Sequence, residues 1–266
     1  MTNSHGATTA EGRYDIRKGA AAYAPIVGAF GALAIPTVTV LFTASKPPHA
    51  DKLVVLACGL LVIATIGSLA GSIGLAAIGA ERDQTANLPA AVMYTAVPVV
   101  ISLLAVLASF EVLAAVYLPH EKELFAVTTG VGGLLGTFFT SFAVGDSWQS
   151  GPSDPVLKAT WQATNWIKSK EEAYRKADRV AMVSCTPVIV GLALRLCGVH
   201  LDISPAGVNW LVGSGLVLAM AGTFGGVQRT KHAMQDSEQR ALREWEAYLA
   251  CGGVGLYTLV VLIFLP

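Results

Sequence analysis

The chain has 266 residues, 53% of them hydrophobic and only 14% charged, with 18 basic and 18 acidic side chains that sum to a formal net charge of zero. An ordinary soluble domain carries about 25% charged residues, so this composition excludes one and points to a membrane protein. A net charge of zero supplies no overall field to draw a polyanion, which excludes nucleic acid as a partner.

Residues 1–19 are rich in Ser, Thr and Gly and end on the basic pair Arg17 and Lys18. They read as a disordered cytoplasmic tail. Residues 20–266 read as a single transmembrane domain. Seven apolar runs, at approximately 20–43, 53–79, 89–118, 124–145, 180–201, 207–227 and 246–265, each reach the roughly 20 residues that a helix needs to cross the hydrocarbon core. The first run exceeds the roughly 7–15 apolar residues of a signal-peptide core, so it is read as a retained span. The expected fold class is all-α, a polytopic membrane bundle of seven transmembrane helices.

Charge placement predicts the orientation. With the N-terminus inside, fourteen of the eighteen Lys and Arg residues fall in cytoplasmic segments, Lys46, Lys52 and Lys122 fall outside, and Arg195 lies within a span. The positive-inside rule therefore predicts a cytoplasmic N-terminus and an outside C-terminus.

Span one carries Pro25 and Pro36, and a short loop through Pro47 and Pro48 returns the chain into span two. Span three contains Met93, Thr95 and Pro98, and span five repeats that pattern at Met182, Ser184 and Pro187. Spans two, four and six share a second pattern, a glycine followed by a hydroxyl residue: Gly71 with Ser72, Gly136 with Thr137, and Gly222 with Thr223. Each also has glycines four residues apart, at 67 and 71, 132 and 136, and 222 and 226. These likenesses suggest three parallel pseudo-repeated helical hairpins followed by a seventh helix.

Two segments between spans read as cytoplasmic helices. Residues 153–179 open on Ser153, Asp154 and Pro155, a helix-start signal, and then mix Trp161, Trp166 and Tyr174 with many lysines. Such an amphipathic stretch is expected to lie at the inner interface, its basic side on anionic lipid head groups, or to dock a soluble cytoplasmic partner. Residues 229–246 alternate basic and acidic side chains around Met234, Ala241, Leu242 and Trp245, and are expected to continue as a helix into span seven.

The prolines of spans one, three and five remove backbone hydrogen bonds and invite kinks. The glycine pairs let helices approach closely. Beside them Ser72, Thr137 and Thr223 are candidate binding residues, facing either a polar path or their own helix carbonyls.

Glu111 and Arg195 are the two charges well inside spans, and an ionisable group at membrane depth marks a functional site by default. Counted from Ala90 and Val180 at about 1.5 Å per residue, they differ by about 9 Å in depth, which an arginine side chain can largely bridge. They are expected to pair or share a polar pocket; the alternative is that Arg195 snorkels outward.

Cys58, Cys185, Cys197 and Cys251 lie in apolar runs without metal-ligand spacing and read as small buried hydrophobes. The Gly213-Ser214-Gly215 run has part of the look of an intramembrane serine protease motif, but no histidine follows within a later span to act as base. No phosphate-binding loop, dinucleotide fingerprint or zinc-protease motif occurs. No cofactor or metal is expected, and an enzyme is the third reading.

The leading functional reading is a small permease or channel-like component with a polar route near Glu111 and Arg195. The second is a membrane scaffold or accessory subunit that docks a soluble partner on its cytoplasmic helices. A continuous water-filled cavity at the charged pair would favour the first, a sealed core the second. A homo-oligomer fits either. The Ala, Gly and Val bias suggests a bacterial cytoplasmic membrane.

Overall fold

The computed structural model describes residues 16–43, 51–81, 88–118, 120–149, 155–199, 201, 204–235 and 242–265. They form seven α-helices: α1 (Ile16–Thr43), α2 (Asp51–Ala80), α3 (Leu88–Tyr117), α4 (Lys122–Gln149), α5 (Pro155–Leu196), α6 (Pro205–Gln235) and α7 (Glu244–Phe264). There is no strand among the described residues. All seven are long and apolar enough to cross a membrane. In that medium only a helix satisfies every backbone group within its own segment, which is why runs of Ala, Leu and Val adopt one form throughout. The predicted tail falls almost wholly outside the described residues, as does the loop between α1 and α2.

α3 is the axis of the bundle. It packs on α1, α2, α4, α6 and α7, while α5 closes the wall between α4 and α7. Met93, Ile101, Leu104, Ala105 and Ala108 of α3 have no exposed surface, and Leu56, Leu60 and Ile63 of α2 belong with most of them to the main core. Large apolar side chains cover the outside, among them Leu33, Leu135, Phe139, Met182, Trp210, Val217 and Leu249. Such a belt is compatible with a multi-pass integral membrane protein.

The three glycine pairs share one target. A side chain at Gly67 would strike the Pro98 carbonyl oxygen at 2.8 Å, and one at Gly71 would reach Val99 at 2.5 Å. Gly132 faces Leu107, Gly136 faces Val100, and Gly222 and Gly226 face Tyr94 and Thr95. All these partners lie on α3. For Gly67 and Gly222 the reason sits at Pro98, which has no N–H to donate to the Tyr94 carbonyl one turn back. Gly222 covers that carbonyl: a Cβ there would lie 2.8 Å from the Tyr94 oxygen and 2.8 Å from Cδ of Pro98. Gly222→Ala is therefore expected to force α6 away from α3 and cost about 1–3 kcal/mol, read as a lower midpoint in a detergent unfolding titration. An unchanged midpoint would show that the α3–α6 contact is not set by this approach.

Polar ties add to the packing. Ser102 of α3 donates to the Ala64 carbonyl of α2 at 2.7 Å, so the 2.5 Å contact between Ser68 and Ser102 has Ser68 as donor. At the face where α1 begins, Trp148 Nε1 donates to the Leu242 carbonyl at 2.7 Å, Lys176 pairs with Glu244 at 3.0 Å, and Arg229 pairs with Glu246.

Three expectations change. The third hairpin is not a packing unit, because α5 and α6 make no contact among the described residues, whereas α1 packs on α2 and α3 on α4. The segment expected at 153–179 is not a separate interfacial helix: α5 runs unbroken from Pro155, and span five with it, for 42 residues. At 42 residues it is about 63 Å long, roughly twice the thickness of the hydrocarbon core, with no break at which to turn into the membrane plane. Nor does the 229–246 segment continue as one helix. α6 ends at Gln235 and α7 starts at Glu244, after Arg243 in an extended conformation with ψ of 145°.

Candidate functional site

Glu111 sits six residues before the end of α3, and Arg195 in the last turn of α5. Both belong to the face that carries the C-terminus. Arg195 Nη2 lies 3.4 Å from Glu111 Oε1, and both side chains are sealed, at 2% and 0% exposure.

Two further groups complete the arrangement. Arg195 Nε lies 3.5 Å from Glu123 Oε2, whose side chain is 57% exposed. Arg195 Nη1 donates to the Leu265 carbonyl at 2.5 Å, just beyond the end of α7. One guanidinium thus joins α3, α4, α5 and the end of α7. The helix ends reinforce it, since a cation in the last turn of α5 and an anion in the first turn of α4 both oppose the local end charge of their helices. The Leu265 carbonyl would otherwise be one of the unsatisfied acceptors at a helix C-terminus.

Beside Glu111 stands Thr129, whose hydroxyl donates to the Phe125 carbonyl at 3.0 Å. Neither Glu111 oxygen accepts a well-aligned hydrogen bond among the described residues; Arg195 is its largest source of compensation, with Thr129 and Lys122 adding smaller attractions. Towards the other face, Ala108, Leu104 and Ile101 follow Glu111 along α3, all without exposed surface. The charges form a chain one residue deep, from half-exposed Glu123 through Arg195 to Glu111, and apolar packing follows.

The structure does not bring Ser72, Thr137 or Thr223 to this cluster. Thr137 donates to the Gly133 carbonyl at 2.8 Å and Thr223 to the Ala219 carbonyl at 2.8 Å, each within its own helix. Ser72 donates to the Ala24 carbonyl of α1 at 2.8 Å. Ser214, of the protease-like run, donates to the Leu211 carbonyl at 3.0 Å.

Glu123 and the Leu265 carbonyl are site groups that the sequence reading missed. Glu123 borders a span by composition, and its pairing became visible only once the first turn of α4 lay beside the last turn of α5. None of the four cysteines is in a disulfide: Cys58 and Cys251 are buried and Cys185 is partly so, but Cys197 is exposed, just past the end of α5. Among the described residues no group of three His, Cys, Asp or Glu side chains could hold a metal ion.

Away from this cluster, the buried Tyr257 hydroxyl stands alone. Tyr257 is 3% exposed, and its oxygen lies 2.7 Å from where a Cβ at Gly215 would stand, with no hydrogen-bond partner among the described residues. A buried hydroxyl without a partner adds nothing to stability, so Tyr257→Phe is expected to leave the unfolding midpoint unchanged or raise stability by up to about 1 kcal/mol. A loss of more than that would mean the oxygen has a partner in the membrane. No family model matches this chain, and no curated protein or solved structure does either.

Proposed function

We propose that this chain is a multi-pass integral membrane protein that works as a scaffold or accessory subunit, its N-terminus in the cytoplasm of a bacterial cell and its C-terminus outside. The observation that carries this reading is the way the charge chain ends. Glu111 is paired with Arg195 and has no exposed surface, and Ala108, Leu104 and Ile101, which follow it inward along α3, are buried as well, so its charge is spent on joining helix ends. The Thr137 and Thr223 hydroxyls are likewise committed within their own helices, which supports a packing role over a solute path. On this reading α5, about twice as long as the hydrocarbon core is thick, carries the docking surface for a soluble cytoplasmic partner.

A small permease is the second reading, and one observation favours it: half-exposed Glu123 connects through Arg195 to a buried carboxylate. Reconstitution separates the two. The full chain in liposomes, challenged with glycerol, urea, potassium chloride and a proton gradient, is expected to show no flux above protein-free vesicles. Flux that falls on Glu111→Gln would overturn the scaffold reading. Its own positive expectation is a stoichiometric soluble subunit that co-purifies from native membranes and is lost on deletion of residues 155–170, the remaining bundle staying folded.

A further inference from the structure

Glu111 is surrounded in a way that suits a protonated carboxyl group better than a carboxylate. Its side chain has no exposed surface, and no well-aligned hydrogen bond reaches either oxygen among the described residues. Arg195 stands off at 3.4 Å from Oε1, beyond the roughly 2.7–2.9 Å of a well-formed charge-assisted bond, and gives its short bond to the neutral Leu265 carbonyl. Thr129 is the polar neighbour, and its one hydroxyl hydrogen is committed to the Phe125 carbonyl at 3.0 Å. Toward Glu111 it therefore presents oxygen lone pairs, which accept a hydrogen and supply none. The charged groups that act on Glu111 are Arg195 from α5 and Glu123 and Lys122 from α4. Of these, Glu123 is a like charge that shares the same guanidinium, 3.5 Å from Nε.

We infer that Glu111 is a proton-binding site, open to the face where α7 ends, and that its bound proton is donated to Thr129 Oγ1. Protonation turns a buried group without donors into a donor with an acceptor at hand. A neutral carboxyl that makes one hydrogen bond is far less costly inside the bundle than a carboxylate facing lone pairs. Arg195 then serves Glu123 and the Leu265 carbonyl. When the proton leaves, Thr129 can help only by turning its hydrogen away from Phe125, and the ion pair with Arg195 ties α3 to α5. The proton comes from water at half-exposed Glu123 and returns there, because Ala108, Leu104 and Ile101 continue inward along α3 without exposed surface. The site thus responds to acidity on one side of the membrane and needs no passage through the bundle. It stands under the scaffold and permease readings alike.

Infrared spectroscopy of the full chain in nanodiscs, with and without isotopically heavy glutamate carboxyl carbons, reads the bound proton as a protonated-carboxyl stretch that the isotope moves. At pH about 6 an unperturbed glutamate is only about 2% protonated, so an isotope-sensitive band worth about one carboxyl per chain is the expected result. Glu111→Gln should remove that band. Thr129→Val separates the two roles open to the hydroxyl. With the acceptor gone, proton binding should weaken about tenfold, as loss of one hydrogen bond implies, so the band should titrate away about one pH unit lower. If Glu111→Gln does not fold, the shift in Thr129→Val assigns the band to Glu111 in its place. Absence of an isotope-sensitive band at pH about 6, or a band that survives Glu111→Gln, would overturn the proposal. So would a band that persists to higher pH in Thr129→Val, since Thr129 would then be a donor to the carboxylate.

Discussion

Arg195→Met is expected to cost about 3–5 kcal/mol, because it strands a buried carboxylate whose remaining compensation, from Thr129 and Lys122, is smaller than the arginine's. The arginine is shared among Glu111, Glu123 and the Leu265 carbonyl, so its removal affects the ends of four helices. Glu111→Gln should be milder, about 1–2 kcal/mol, since Arg195 keeps Glu123 and the Leu265 carbonyl. The double variant should then be more stable than the sum of the single losses predicts, by about 1–3 kcal/mol, because the neutral amide that Glu111→Gln introduces no longer needs the guanidinium. Unfolding titrated with SDS in mixed micelles reads all four states. Charge reversal, Glu111→Lys with Arg195→Glu, is the weaker experiment, since it sets a second carboxylate against Glu123 and the Leu265 carbonyl. Losses that simply add would show that the contact contributes no coupling, and a loss under about 1 kcal/mol for Arg195→Met would show that water already reaches Glu111.

Seven helices were legible because each apolar run is bounded by charges and has the length a bilayer demands. Glu111 and Arg195 were legible for the complementary reason, as charges in runs that otherwise exclude them. The length of the fifth helix was not legible, because the charges from Glu171 to Arg179 end the apolar run although those residues are helical and belong to the same element. Charge content locates apolar runs and does not mark where helical geometry begins. The glycine pairs at 67, 132 and 222 were visible as a recurring pattern, and their close approaches were legible in kind. That all three face α3 was not, because sequence spacing tells which residues share a helix face and not which neighbour that face meets. The recurrence then looked like repeated hairpins, whereas a central helix ringed by neighbours places the same demand on α2, α4 and α6. Pro98 is the physical link: it frees the Tyr94 carbonyl and projects its own carbonyl and ring, and glycine on α2 and α6 is what can lie against them.

The same logic makes Gly255 the most restrictive position in the α5–α7 contact. A Cβ at Gly255 would overlap the backbone carbonyl of Ser184, three residues before Pro187, and the Ser184 carbonyl cannot rotate aside as a side-chain tip can. The neighbouring pair at Gly191 is looser, with the nearest atoms at 3.1 Å on the flexible end of Leu259. Gly255→Ala is therefore expected to cost about 3 kcal/mol, the upper end for overpacking, and Gly191→Ala less than about 1 kcal/mol. Separation of α7 from α5 must also lengthen the reach from Arg195 to the Leu265 carbonyl, which now spans 2.5 Å. In Gly255→Ala, then, Arg195→Met should cost less than it does in the parent, by about 1 kcal/mol, because part of what Arg195 holds has already been lost. SDS unfolding of the four proteins measures that coupling directly. Two independent losses would mean that the close approach at Gly255 and the charge cluster at the far end of α7 stabilise the bundle separately.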